Sequence, residues 1–174
     1  MLNAIRRRAE TRKASDALLT GTIARARLPV FYEKLAVPDT IDGRFDLLVF
    51  HAWLVMDRLE QQGASALSQS LVDGLFVQFD EALREQGAGD MGMGKRMTKM
   101  ADAFFGRLKA YREAVAQKTG DQKALADAIV RNLYRGDAGK VEQAIALAIY
   151  AASVRERLSQ ADLSTGTPDF GPEP

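Results

Sequence analysis

A chain of 174 residues with 47% apolar and 27% charged side chains has the size and composition of one globular domain, outside the polar, strongly charged regime of disorder. Zero cysteines exclude disulfides, thiol catalysis, thiolate zinc sites and iron–sulfur ligation, and a single histidine excludes a histidine pair for zinc or haem. The net charge of +1 hides segregation: residues 1–34 hold eight Lys/Arg against three Asp/Glu and residues 91–118 seven against two, whereas residues 36–90 hold three against ten. Such blocks either dock on an anionic surface by a salt-sensitive attraction or neutralise one another between helices.

Residues 1–13 follow their arginines with no continuous apolar run, so they read as a basic arm and as neither a secretory nor a twin-arginine export signal. From Ala14 to Leu35 the apolar spacing is helical, with breaks expected near Gly21 and at Leu28-Pro29. The segment Val37-Pro38-Asp39-Thr40 stops the chain and offers Asp39 or Thr40 as a helix cap. A central helix is predicted over 42–62, containing the longest apolar run, Phe45 to Met56, which Asp46 and His51 interrupt. The run is far shorter than the roughly 20 residues that span a bilayer, which predicts a soluble protein. Helical winding puts Asp42, Asp46, Asp57, Glu60 and Gln61 on one stripe together with Phe50 and Trp53, so these two aromatics are either roofed by another helix or left for a partner.

After a stop at Gly63, Ser65 caps a helix whose Leu67, Leu71, Leu75, Phe79 and Leu83 step by four and which ends near Gln86. A glycine-rich loop over 87–94 leads into a basic helix over 95–118, with Met97, Met100, Phe104, Leu108, Tyr111 and Val115 on its core face and Gly120 as its stop. Asp121 caps a shorter helix to Tyr134, and a last helix runs over 140–160. On it Val141, Ile145, Ala148 and Ala152 form one apolar row and Leu147, Val154 and Leu158 another, a pattern that asks for two neighbours, one of which could come from another protomer. The residues 161–174 lack an apolar period and are expected to be a disordered tail. The prediction is an all-α protein, one compact domain of six or seven helices over 14–160.

Gly87, Gly89 and Gly92 spell the dinucleotide pattern, and Gly89 to Lys95 match most of a phosphate-loop pattern. Both patterns work by ending a strand before a helix, whereas a helix precedes this loop, and Arg96 stands where a magnesium-binding hydroxyl belongs. The glycines instead suit a helix C-cap and tight turn. Lys95, Arg96 and Lys99 at the following helix start either attract phosphates and acidic side chains or form a solvated basic face. His51 falls toward the apolar side of its helix, the position of a core histidine satisfied by one hydrogen bond. No nucleophile–base pair is assembled, and Asp80 and Glu81, being adjacent in a helix, do not face each other. Met91, Met93, Met97 and Met100 suit either an adaptable apolar surface or core filling.

The block from Phe31 to Glu60, followed by Leu67 to Ala114, resembles the ubiquinol-cytochrome c chaperone family over residues 31–115, with weaker likeness to Tyr150. The resemblance rests on Asp42-Gly43-Arg44-Phe45, His51, Asp73, Asp80, Leu83-Arg84-Glu85, Gly89-Asp90, Gly94-Lys95 and Phe105-Gly106-Arg107 ahead of Tyr111. It implies an all-helical, non-enzymatic assembly factor without catalytic residues or cofactor, which binds newly made cytochrome b at the inner, cytoplasmic face of the energy-transducing membrane. Mitochondrial members act with a small partner protein near the ribosomal exit, and bacterial-type members lack their targeting extension, which is the type expected of this short chain. The expected client surface comprises Phe50, Trp53, Met91, Met93 and Phe105, rimmed by Lys95, Arg96 and Lys99. Two other readings stay open: a ribosome- or RNA-binding module using the basic segments, and a small-molecule or haem binder with His51 as its one histidine.

Overall fold

The computed structural model describes residues 2–85, 90–117, 122–164 and 166–174, and of these the side chains of Leu2, Asp90 and Met91 are left aside. Among the described residues there are seven α-helices and no strand: α1 Leu2–Ala26, α2 Pro29–Glu33, α3 Ile41–Gln61, α4 Ser65–Glu85, α5 Asp90–Ala116, α6 Lys123–Asn132 and α7 Val141–Ser159, the last entered through a 3-10 turn, Ala138–Lys140. The all-α reading holds, and its differences in detail have identifiable causes.

Helix α1 starts at Leu2, well inside the predicted arm, and runs unbroken through Gly21. That glycine marks a close approach and not a break: a Cβ there would lie 2.7 Å from Thr167 and 2.8 Å from Pro168. The chain does turn at Leu28, whose backbone is extended, and Pro29 opens α2 at the first-turn position where its missing N–H is not needed. Thr40 is the cap of α3, its hydroxyl accepting the Gly43 N–H at 3.1 Å, while Asp39 pairs with Arg44 at 2.6 Å. Helix α5 begins at Asp90, so Gly92 and Gly94 are helical where a loop was expected; Gly87, Gly89, Gly120 and the cap residue Asp121 lie outside the described residues.

Helix α3 is the axis of the fold, packing against α1, α4, α5 and α7. Leu47, Val49, Phe50, Ala52, Trp53, Leu54, Val55 and Leu59 are all buried, in keeping with the longest apolar run of the sequence. Each large side chain removed from water contributes about 1.5–3 kcal/mol. Helix α1 lies along α4, with Leu19 seated over Gly74, and α6 lies along α7. On α7, the row Leu147, Val154 and Leu158 is buried with Ala144, Ala148 and Ala151, whereas Val141 and Ile145 of the other row face outward beside Ile149.

The predicted disordered tail instead forms a strap across the body. Leu163 and Phe170 are buried in the core, and Phe170 lies edge-on to His51 at 5.5 Å between ring centroids. Arg25 of α1 donates to the carbonyls of Gly171 and Pro172, and Arg58 of α3 donates twice to Ala161 O. The segment has no helical period because it is held by side chains and carbonyls and not by packing one face of a helix.

Candidate functional site

The acidic stripe of α3 meets basic side chains from three other elements. Asp46 is fully buried, with Arg107 of α5 at 2.6 Å and Arg135, just after α6, at 2.9 Å. Further along, Asp57 pairs with Arg155 of α7 and Glu60 with Arg112 of α5, each at 2.9 Å. Arg135 has φ 55°, a left-handed conformation uncommon for a residue with a side chain, and from it reaches both Asp42 and Asp46. Burial lifts the Asp46 carboxyl from its ordinary value to about 6, against the opposing pull of Arg107 and then Arg135. The charge segregation along the sequence is thus partly an internal matter: α5 and α7 neutralise α3.

This arrangement corrects two expected client-binding residues. Phe50 and Trp53 are both 0% exposed, roofed by Tyr111 of α5 at centroid distances of 5.6 and 5.2 Å, with Arg155 over the indole. They share the acidic stripe because that stripe faces other helices, not solvent. Of the remaining expected residues, Met93 is buried, and the side chain of Met91 lies outside the described residues. Lys95, Arg96 and Lys99 are exposed on the first turns of α5. Phe105 is 52% exposed, stacked on Phe76 of α4 at 6.2 Å and edge-on to Phe104 at 5.2 Å. It caps a row of aromatics that fills the seam between α4 and α5.

His51 is a core histidine, as expected, with two hydrogen bonds in place of one. Its Nδ1–H donates to Leu47 O at 2.9 Å and its Nε2 accepts from the Tyr150 hydroxyl at 3.1 Å, while that hydroxyl oxygen accepts from Arg25 Nε at 2.9 Å. A neutral ring is the species this chain of bonds requires. Burial depresses its pKa to about 3. The ring is sealed beneath the C-terminal strap, and among the described residues no cluster of His, Asp and Glu is arranged to hold a metal ion.

The feature absent from the sequence reading is a groove of about 740 Å³ at the end of the body where α1 stops, α3 starts and α4 gives way to α5. Its floor is Phe45 and Leu48 of α3, Phe79 and Leu83 of α4 and Met100 of α5. Ile23 and Ala26 of α1 and Pro29 and Tyr32 of α2 make one wall, held by the Tyr32 hydroxyl donating to Ala26 O at 2.7 Å. Ile41, in the first turn of α3, stands at the mouth and is 58% exposed. The rim carries Arg27, Glu33 and Glu85 and the Asp39–Arg44 pair, whose hydrogen bond holds the Asp39 carboxyl below its ordinary range. An apolar floor with a charged, partly self-paired rim is suited to taking up apolar side chains by desolvation. Its one sequence signal is Ile41, an apolar residue beside a helix cap; the rest comes from helix ends that diverge.

The ubiquinol-cytochrome C chaperone family matches residues 33–165. The ubiquinol-cytochrome-c reductase complex assembly factor 1 of Xenopus laevis is 24% identical over 122 residues, 69% of this chain and 60% of that protein. Its Homo sapiens counterpart is 22% identical over 155 residues, 88% of this chain and 50% of that protein. The mitochondrial protein CBP3 of Saccharomyces cerevisiae is 28% identical over 157 residues, 82% of this chain and 44% of that protein. The chain therefore spans about half the length of these relatives. Among solved structures, a crystal structure of the Cbp3 homolog from Brucella abortus superposes with a TM-score of 0.81 at 34% identity, covering 95% of this chain and 93% of that one. With the family spanning most of the folded body and the fold matched almost end to end, this chain belongs to the ubiquinol-cytochrome C chaperone family.

Proposed function

We propose that this protein is a non-enzymatic chaperone in the assembly of ubiquinol-cytochrome c reductase, that it binds newly made cytochrome b at the inner face of the energy-transducing membrane, and that the groove between α1, α3 and α4 holds the client. The observation that carries the reading is a groove of about 740 Å³ floored by Phe45, Leu48, Phe79, Leu83 and Met100. A membrane protein awaiting assembly presents apolar segments, and an apolar cleft with a flexible methionine in its floor is suited to hold such segments reversibly. Arg96 sits one helical turn before Met100, and with Lys95 and Lys99 it offers cations to acidic groups flanking the client segment. Phe105 is a second apolar contact on the outside of the α4–α5 seam.

A photo-crosslinking residue installed at Ile41 of the full chain, with Ile149 on α7 as the distant control, tests this in cells that make tagged cytochrome b. Crosslinks to cytochrome b from position 41 and none from 149 are expected. Crosslinks from 149 alone, or from neither, would remove the groove from the proposal. Normal cytochrome b and cytochrome bc complex levels after gene deletion would remove the function itself.

A further inference from the structure

The first three turns of α1 are the most cationic exposed element of the molecule. Core contact on this helix begins at Ala14, Ser15 and Leu18, whereas residues 3–10, Arg12 and Lys13 are exposed and Thr11 is half-buried. This stretch carries Arg6, Arg7, Arg8, Arg12 and Lys13 against Glu10, which is engaged by Arg6 at 2.9 Å. A solvated helix of this length is marginal by itself and holds here as the rigid continuation of a packed helix.

Four of the five cations lie on the flanks of Ile5, and Arg7 lies on the opposite side of the helix. Ile5, Ala9 and Lys13 step by four and so share one side, Arg6 lies seven residues before Lys13, and Arg8 and Arg12 lie three and seven after Ile5. Ile5 is 62% exposed, the largest exposure among the large apolar side chains of the described residues. An isoleucine standing in water with arginines and a lysine on both flanks can seat its apolar side chain at the acyl boundary while the long cationic ones reach the headgroups. RNA would use the same cations but has no use for Ile5.

We infer that the N-terminal part of α1, through Ile5, Arg6, Arg8, Arg12 and Lys13, is a docking element for an anionic lipid surface. The inference rests on α1 alone and not on the groove. Attraction of this kind weakens steeply with added salt and is lost on a neutral bilayer.

Flotation of the full chain with vesicles of equal parts phosphatidylglycerol and phosphatidylcholine, against phosphatidylcholine alone, is the test. Binding to the anionic vesicles only, abolished by high salt, is expected. The double variant Arg8→Glu/Arg12→Glu should bind roughly thirtyfold or more weakly, since each basic residue near such a surface accounts for about a fivefold change. Ile5→Gln should cost roughly tenfold, the value of one buried isoleucine. Lys109→Glu, on an exposed position of α5, should bind as the parent does. These substitutions all sit on exposed side chains, so unchanged circular dichroism is expected throughout. Equal binding to neutral vesicles, an α5 variant that alone abolishes binding, or binding to an RNA duplex as tight as to the anionic vesicles and indifferent to Ile5→Gln would each overturn the inference.

Discussion

The two ends of α3 are treated differently by the fold. From Asp46 to Glu60, the side facing α5 and α7 is tied to other elements: Asp46, Asp57 and Glu60 each meet an arginine from one of them, and Phe50 and Trp53 disappear beneath Tyr111. At Ile41, Phe45 and Leu48, where α1 ends at Ala26 and α2 opens at Pro29, no helix among the described residues lies across the apolar side chains and a groove remains. Charged residues thus sit in the closed region and apolar ones in the open region, the reverse of the usual expectation. Buried ion pairs gain little net stability, but they penalise every alternative packing that separates them, so they fix how α3, α5 and α7 meet. The apolar groove is the kind of exposed apolar surface on which the proposed client binding rests.

Breaking the closed region should have the largest effect. Asp46→Ala leaves Arg107, nearly buried, without its carboxylate, and the cost of an orphaned buried charge is about 3–5 kcal/mol, to be read from urea unfolding with the slope held in view. Removing residues 166–174 uncovers His51 and gives up the burial of Phe170. A loss of about 1.5–3 kcal/mol in the same assay is expected, with the helical circular dichroism retained. A full loss of helical signal would instead make the strap a part of the core.

The pH dependence sharpens the comparison. Asp46 titrates near 6 in the folded protein and near the ordinary aspartate value when unfolded, so the folded state binds more protons between these limits. Its contribution to stability therefore grows as pH falls through 6 and is lost as pH rises through that value. Subtracting the unfolding profile of Asp46→Asn from that of the parent isolates this group, and a difference that does not change between pH 4 and 7 would contradict the burial argument.

The smallest effect on stability belongs to the open region. Ile41→Asp changes an exposed side chain and should move stability by no more than about 0.5 kcal/mol, while it abolishes client crosslinking from the neighbouring groove positions. Phe105→Ser should cost about 0.5–1.5 kcal/mol through its loss of stacking on Phe76.

Helix periods were plain in the residues themselves: Leu67, Leu71, Leu75, Phe79 and Leu83 form the buried row of α4 as their spacing predicts, and the break at Leu28-Pro29 occurs where proline imposes it. The role of His51 was also legible, because a lone histidine toward an apolar face has few alternatives to a satisfied core position. Phe50 and Trp53 were misplaced because a helical wheel reports which residues share a side and not what that side meets. Gly21 and the C-terminal strap show the same gap twice. A glycine within a helix and a proline- and glycine-containing tail read as interruption and disorder, until each is seen to make room for the other.

By itself, the amino-acid order settled that this protein is helical, which residues form each apolar row, and that thiol and disulfide chemistry is absent. Only the tertiary structure decided that the acidic stripe faces inward, that the tail closes over His51 and that a groove stays open beside Ile41. The reason is range: periodicity and capping act within a few residues along the chain, whereas an ion pair between Asp46 and Arg135 or a cleft between diverging helix ends exists only after distant segments are brought together.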